Sequence, residues 1–273
     1  MRVSTMTKKQ KFLFSLFPLA VLILYMGIVG VFANFMSTSV RAQIFGNLLV
    51  VLIGGGWYIW RRRKYAMSHP DSKKFQPRAW SVFLLIGLLI VFSVVTPIVG
   101  FAIQYAFPDS SGQVAYDAAV AADTGWFVLQ TVFLAPIAEE LVFRQYMFRP
   151  WKRTLGFWVS AALSSAVFAL MHGTLYHLPV AFAVGFLSCV MLQMTGQLRY
   201  SFLVHFVFNL CAVSVTPGVL PLEGSFLYAW YISIPIYLVC FASVLLLYRY
   251  RRQIRKYVTE DHLIDKWNQK PEV

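Results

Sequence analysis

Residues Trp126–Phe148 read WFVLQTVFLAPIAEELVFRQYMF, an apolar run that nevertheless holds two adjacent carboxylates and an arginine. Its length is that of an α-helix crossing about 30 Å of hydrocarbon, which takes roughly 17 to 25 residues. Runs of the same kind lie on either side: Phe12 to Phe32, Ile44 to Trp60 and Trp80 to Ile103 before it, and Leu155 to Met171, Leu178 to Met194, Tyr200 to Thr216 and Phe226 to Tyr248 after it. They are continuous where a transmembrane β-barrel would alternate. With 59% hydrophobic and 13% charged residues, the chain departs from soluble domains, which hold about 45–50% apolar and about 25% charged residues. The expectation is an all-α protein: a polytopic membrane helix bundle of about eight transmembrane helices.

The net charge of +13 does not indicate nucleic acid, because the basic residues flank the apolar runs, as in Arg61-Arg62-Arg63-Lys64 and Arg249 to Lys256. Membrane topology and anionic headgroups account for that placement. Basic segments alternate with segments carrying Asp109, Asp117, Asp123 and Glu223, Arg41 being the exception. The positive-inside rule then sets both termini in the cytoplasm, which an even number of spans allows. The first run follows Lys8, Lys9 and Lys11, but it is too long for a signal peptide and lacks a small-residue cleavage site, so it reads as a retained helix. Cys189, Cys211 and Cys240 sit in apolar runs without CxxC spacing and read as small buried hydrophobes. No repeat divides the chain, so residues 1–273 read as one integral membrane domain with a motif-bearing core at 126–216 and a basic tail at 249–273.

Polar groups inside such runs are the informative ones. A charge at the centre of a spanning helix costs about 2.5–3.5 kcal/mol on insertion scales, so it must face protein or water. Glu140 and Arg144 are four residues apart and can pair on one helix face. Glu139 lies about 100° around the helix from Glu140 and is free to face elsewhere. Pro136, just before the acids, removes a backbone hydrogen bond and favours a kink. His172 closes the fifth run; His205 and Asn209 lie one turn apart in the seventh. A carboxylate and a histidine can activate one water, and a histidine with an amide can donate to an oxyanion. That inventory suits hydrolysis of an acyl bond.

The segments Glu139-Glu140-x-x-x-Arg144, Phe168-x-x-x-His172 and His205-x-x-x-Asn209 together resemble the CPBP family of intramembrane endopeptidases, which includes the CAAX prenyl-protein proteases. The resemblance implies Glu139 as general base on a water with His172 assisting, and His205 and Asn209 as oxyanion donors. It also implies that Glu140 and Arg144 orient Glu139 or contact substrate. No metal or other cofactor is implied. The substrate would be a membrane-associated peptide or protein, and the short chain points to a bacterial relative in the plasma membrane, engaged in peptide processing, self-immunity or regulated proteolysis. One conflict stands. A straight fifth helix from Leu155 carries His172 about 25 Å along its axis, whereas His205 lies about 8 Å along a helix from Tyr200. The two meet only if the fifth helix starts deeper and ends within the bilayer, or if the span boundaries lie elsewhere. Gly173 and Pro179 permit an irregular turn there if protein buries it.

Other chemistries fit less well. Zinc could take Glu139, His172 and His205 with a water, but HExxH is absent. Ser164 and Ser165 lack an evident base, Asp117 lacks the second aspartate that an aspartyl mechanism needs, and an apolar setting raises a thiol pKa. A proton-coupled transporter would also bury Glu, Arg and His, usually in repeated halves that are not seen. A membrane scaffold is the third alternative. His177 reads as an interfacial histidine outside the site, and Trp57, Trp60, Trp80, Trp126, Trp151 and Trp158 as interface markers.

Overall fold

Three glycines at positive φ, Gly156 (76°), Gly173 (71°) and Gly196 (66°), end the helices of the motif-bearing half. A side chain at any of them would be strained, so the chain turns there at little cost. The computed structural model describes residues 7–35, 39–68, 124–173 and 177–214, and among them all regular structure is helical. The first helix, α1, is Lys8–Phe35. The second, α2, spans 39–68 as α-helical Ser39–Val50, a π-helical stretch Val51–Gly55 and α-helical Gly56–Ser68. Next comes α3, Thr124–Leu155, then α4 (Phe157–Leu170), α5 (Leu178–Thr195) and α6 (Leu198–Ser214). The expected third and eighth spans and the basic tail lie outside the described residues.

Two stretches, Val40–Lys64 and Thr124–Leu155, are long and apolar enough to cross a bilayer; Ser15–Val31, Phe157–Leu170 and Leu178–Gln193 are shorter apolar helices. The central element is α3. On one side Val142, Phe143, Met147 and Trp151 pack with Tyr25 of α1, Val50 of α2 and Phe168 of α4. On the other, Leu141 and Phe148 pack with Phe157 and Ala161 of α4, Cys189 and Leu192 of α5 and Leu198 of α6. Polar ties fix these contacts: Trp151 Nε1 donates to the Ser15 carbonyl at 2.8 Å, Tyr146 to the Gly54 carbonyl at 2.6 Å, and Arg149 to the Gly196 carbonyl at 2.8 Å. Helices α4 and α5 approach closely at Gly185, where an added Cβ would stand 3.2 Å from the Ser165 Cα.

The depth conflict resolves through α4. Ser164 Oγ donates to the Phe143 carbonyl at 2.8 Å, which sets the register of α4 against α3. Counting at about 1.5 Å per residue from that tie, Phe157 starts near the level of Arg149, and Phe168 comes level with Glu139. The helix has 14 residues, about 21 Å, and so is shorter than the hydrocarbon core. It ends in tightened bonds, His172 N to Ala169 O and Gly173 N to Leu170 O, of the i to i+3 kind common at helix ends. The helix starts at Phe157, two residues after the expected Leu155, and its end lies level with the acids of α3.

Candidate active site

Five segments of alternating helix type make up α3: α-helical Thr124–Val128, π-helical Leu129–Leu134, α-helical Ala135–Glu139, π-helical Glu140–Phe148 and α-helical Arg149–Leu155. Wide turns of this kind recur at functional sites. The junction between Glu139 and Glu140 separates the two acids in environment. The Glu140 side chain is 1% exposed and that of Glu139 18% exposed, and both reach one imidazole. His205 Nδ1 lies 3.2 Å from Glu140 Oε1, and its Nε2 lies 3.5 Å from Glu139 Oε2. On its other side Glu140 meets Arg144 Nε at 3.4 Å, the pairing expected from their spacing. Ser201 Oγ also hydrogen-bonds to Glu140 Oε2 and reaches the Ser188 carbonyl at 3.1 Å.

Arg144 is fully buried. Its guanidinium carbon stands 4.6 Å from the Phe168 ring centroid and 6.0 Å from that of Phe143, so aromatic faces share the charge that Glu140 meets at one nitrogen. The same Phe168 ring stands edge to face with both imidazoles, 4.7 Å from His172 and 5.4 Å from His205 between centroids. The phenylalanine of the Phe168-x-x-x-His172 segment therefore has a physical role, since it spaces two histidines and faces an arginine.

His172 is exposed, and its Nδ1 lies 2.9 Å from the Phe168 carbonyl oxygen. A carbonyl only accepts, so Nδ1 carries a proton and donates it there. Burial, reinforced by the neighbouring His172, holds the His177 imidazole below its ordinary value. That histidine is neutral near pH 7.

Asn209 is placed differently from its neighbours. Its Nδ2 donates to the Thr131 carbonyl at 2.8 Å. In the π-helical stretch, bonds run from residue i+5 back to i, as in Ala135 N to Gln130 O. The next donor in that register is position 136, which is proline and has no N–H. The Thr131 carbonyl thus loses its backbone partner, and the Asn209 amide replaces it. Of the six residues singled out from sequence, Glu139, Glu140, Arg144 and His205 are in direct contact as a group. His172 joins them through Phe168, and Asn209 is tied to the α3 backbone.

Ser201 and Tyr25 were missed. Ser201 had a signal: Ser201, His205 and Asn209 recur every four residues, a single helix face. Tyr25 had none, since it lies far upstream in an otherwise apolar run. Among the described residues, no three His, Cys, Asp or Glu side chains are grouped to hold a metal ion.

Residues 121–211 match the family model for type II CAAX prenyl endopeptidase Rce1-like proteins. Over that third of its length the chain is similar to this family of membrane-embedded peptidases, in agreement with the resemblance carried by the three motifs. The chain is also similar to an uncharacterized protein of Mycoplasma capricolum subsp. capricolum, 33% identical over 91 residues, which are 32% of this chain and 26% of that protein. The match thus spans about a quarter of that relative's length. No solved structure matches the chain.

Proposed function

We propose that this protein is an intramembrane endopeptidase with eight spans and cytoplasmic termini. In this reading it sits in a bacterial plasma membrane and hydrolyses a peptide bond of a membrane-associated peptide or protein by activating water without a metal. The carrying observation is one imidazole between two carboxylates of unequal exposure. Buried Glu140, neutralised by Arg144, accepts from His205 Nδ1–H and fixes the tautomer. The His205 Nε2 then faces Glu139. Glu139, the more accessible acid, is the general base.

Its carboxylate takes a proton from water as the water oxygen bonds to the scissile carbonyl carbon. His172 assists in holding that water. The carbonyl oxygen becomes an oxyanion and receives a hydrogen bond from the second N–H of Asn209, the first being engaged at Thr131, while the Nδ1–H of His205 stays with Glu140. Protonated Glu139 returns its proton to the amide nitrogen, and the C–N bond breaks to leave a carboxylic acid and an amine, which become carboxylate and ammonium by passing that acid's proton to the amine. Charge in the site moves and is not newly created, which suits a low-dielectric setting.

The experiment is a peptide profile of membranes carrying the intact protein, membranes lacking it, and membranes carrying Glu139→Gln at matched expression. Peptides present only with the intact protein are expected. If the variant generates the same peptides, the assignment of Glu139 is wrong. If its membranes instead show proton-linked uptake, a carrier replaces the peptidase.

A further inference from the structure

Three side chains compete for the carboxylate of Glu140. Arg144, on the same helix, offers Nε to Oε1 at 3.4 Å. A guanidinium binds a carboxylate most strongly through two parallel N–H···O bonds, and that arrangement is not the one found. Arg144 is fully buried, and among the described residues its Nη1 and Nη2 have no hydrogen-bond partner. Helix α6 draws the carboxylate the other way. His205 Nδ1 lies 3.2 Å from Oε1, and Ser201 Oγ hydrogen-bonds to Oε2. Ser201 and His205 are one turn apart on α6, so both oxygens are gripped from a single helix face. Ser201 is itself fully buried, and its other neighbour is the Ser188 carbonyl of α5 at 3.1 Å. A hydroxyl has one proton. Both neighbours accept, and the ionised oxygen is the stronger acceptor, so the proton goes to Glu140.

We infer that Ser201 is a positioning residue: by holding Glu140 Oε2 on α6 it keeps the carboxylate from closing onto Arg144 and leaves Oε1 to the Nδ1–H of His205. It acts through Glu140 and touches neither substrate nor imidazole. Without the hydroxyl, Oε2 has no donor on α6, and the carboxylate turns to the Nη groups of Arg144. His205 Nδ1 then loses its acceptor. The ring proton moves to Nε2, where Glu139 Oε2 at 3.5 Å receives it, and the proposed base becomes engaged before any water arrives. The inference rests on the endopeptidase reading for its purpose but not for its test.

The test is nitrogen NMR of the full chain in detergent, with ¹⁵N-labelled histidine. Spectra are taken at alkaline pH, where an imidazole carries one proton and its two nitrogens report the tautomer. His205→Gln assigns the resonance among the five histidines. The intact protein is expected to hold the Nδ1–H form. Ser201→Ala is expected to shift the tautomer ratio toward Nε2–H by at least about tenfold, the worth of one hydrogen bond to a charged group. Ser201→Cys, whose thiol is a weak donor, is expected to give a shift in the same direction, and Ser201→Thr, which keeps the hydroxyl, to restore the ratio. An unmoved ratio in a folded Ser201→Ala or Ser201→Cys overturns the inference, as does an equal shift in Ser201→Thr. A serine that only packs α6 against α5 would lower the unfolding midpoint and leave the tautomer in place. No cleavage is read, so an unmoved tautomer strikes the role of Ser201 alone, whereas retained cleavage in Glu139→Gln strikes the endopeptidase mechanism.

Discussion

Replacing either of two adjacent glutamates by glutamine should give opposite phenotypes. Glu140→Gln leaves a fully buried guanidinium without its counter-charge. Breaking a buried ion pair by removing one partner costs about 3–5 kcal/mol. The Phe168 face at 4.6 Å is already engaged in the intact protein and cannot take up the loss. At about 2–4 °C per kcal/mol for a chain of this size, the unfolding midpoint should drop by about 6–20 °C. Glu139→Gln is different. That carboxylate keeps some exposure, its one ion-pair contact is at 3.5 Å, and its removal relieves repulsion with Glu140. The change should stay within about 1 kcal/mol, while cleavage falls by at least about 10²-fold on loss of the general base. Scanning fluorimetry of the eight tryptophans in detergent reads the first quantity, and peptide profiling reads the second. Equal midpoints for the two variants would refute the division of labour between the acids, and a larger drop in Glu139→Gln would invert it.

Asn209→Leu should cost about 1–3 kcal/mol by orphaning the Thr131 carbonyl; Pro136→Ala, which returns an N–H, should remove at least half of that penalty in a double-mutant cycle of unfolding midpoints. Ser201→Ala removes a donor from a buried carboxylate and should lower stability by about 1.5–3 kcal/mol, whereas Ser201→Thr, which keeps the hydroxyl, should lower it less in the same assay. Incubation with 1,10-phenanthroline should leave cleavage unchanged; activity lost to the chelator and restored by zinc would replace water activation by Glu139 with a metal centre.

Much of this arrangement follows from the order of residues along the chain. Apolar runs of spanning length give helices wherever residues are described, because hydrocarbon leaves a chain few other ways to satisfy its backbone. Glu140 and Arg144 meet because i,i+4 neighbours do so with little help from tertiary structure. The level of His172 could not be read this way. It depends on where α4 begins, and that is set by Ser164 bonding to Phe143 and by Gly156 releasing the chain. The engagement of Asn209 was also hidden, since it requires the backbone around Pro136 to run in π register, and backbone register has no sequence signature. Tyr25 reaches Phe143 of α3 by packing over more than a hundred residues of separation, which periodicity does not encode.

Two adjacent acids in a membrane protein raise a question that charge counting answers. Taken alone, Glu139 and Glu140 would place two negative charges in a poorly hydrated region, and one would protonate. Arg144 compensates Glu140 at 3.4 Å, which leaves the Glu139 charge without a cationic partner on α3. In the proposed reaction that charge passes from the Glu139 carboxylate to the substrate oxyanion and back, with the total constant. Arg144 is thus needed even if it never touches substrate, because without it a second, uncompensated carboxylate would lie buried beside the reacting charge. Arg144→Leu should therefore abolish cleavage and lower the unfolding midpoint, whereas Arg144→Lys, which keeps the charge, should retain part of both; equal losses in the two variants would refute the role of the charge.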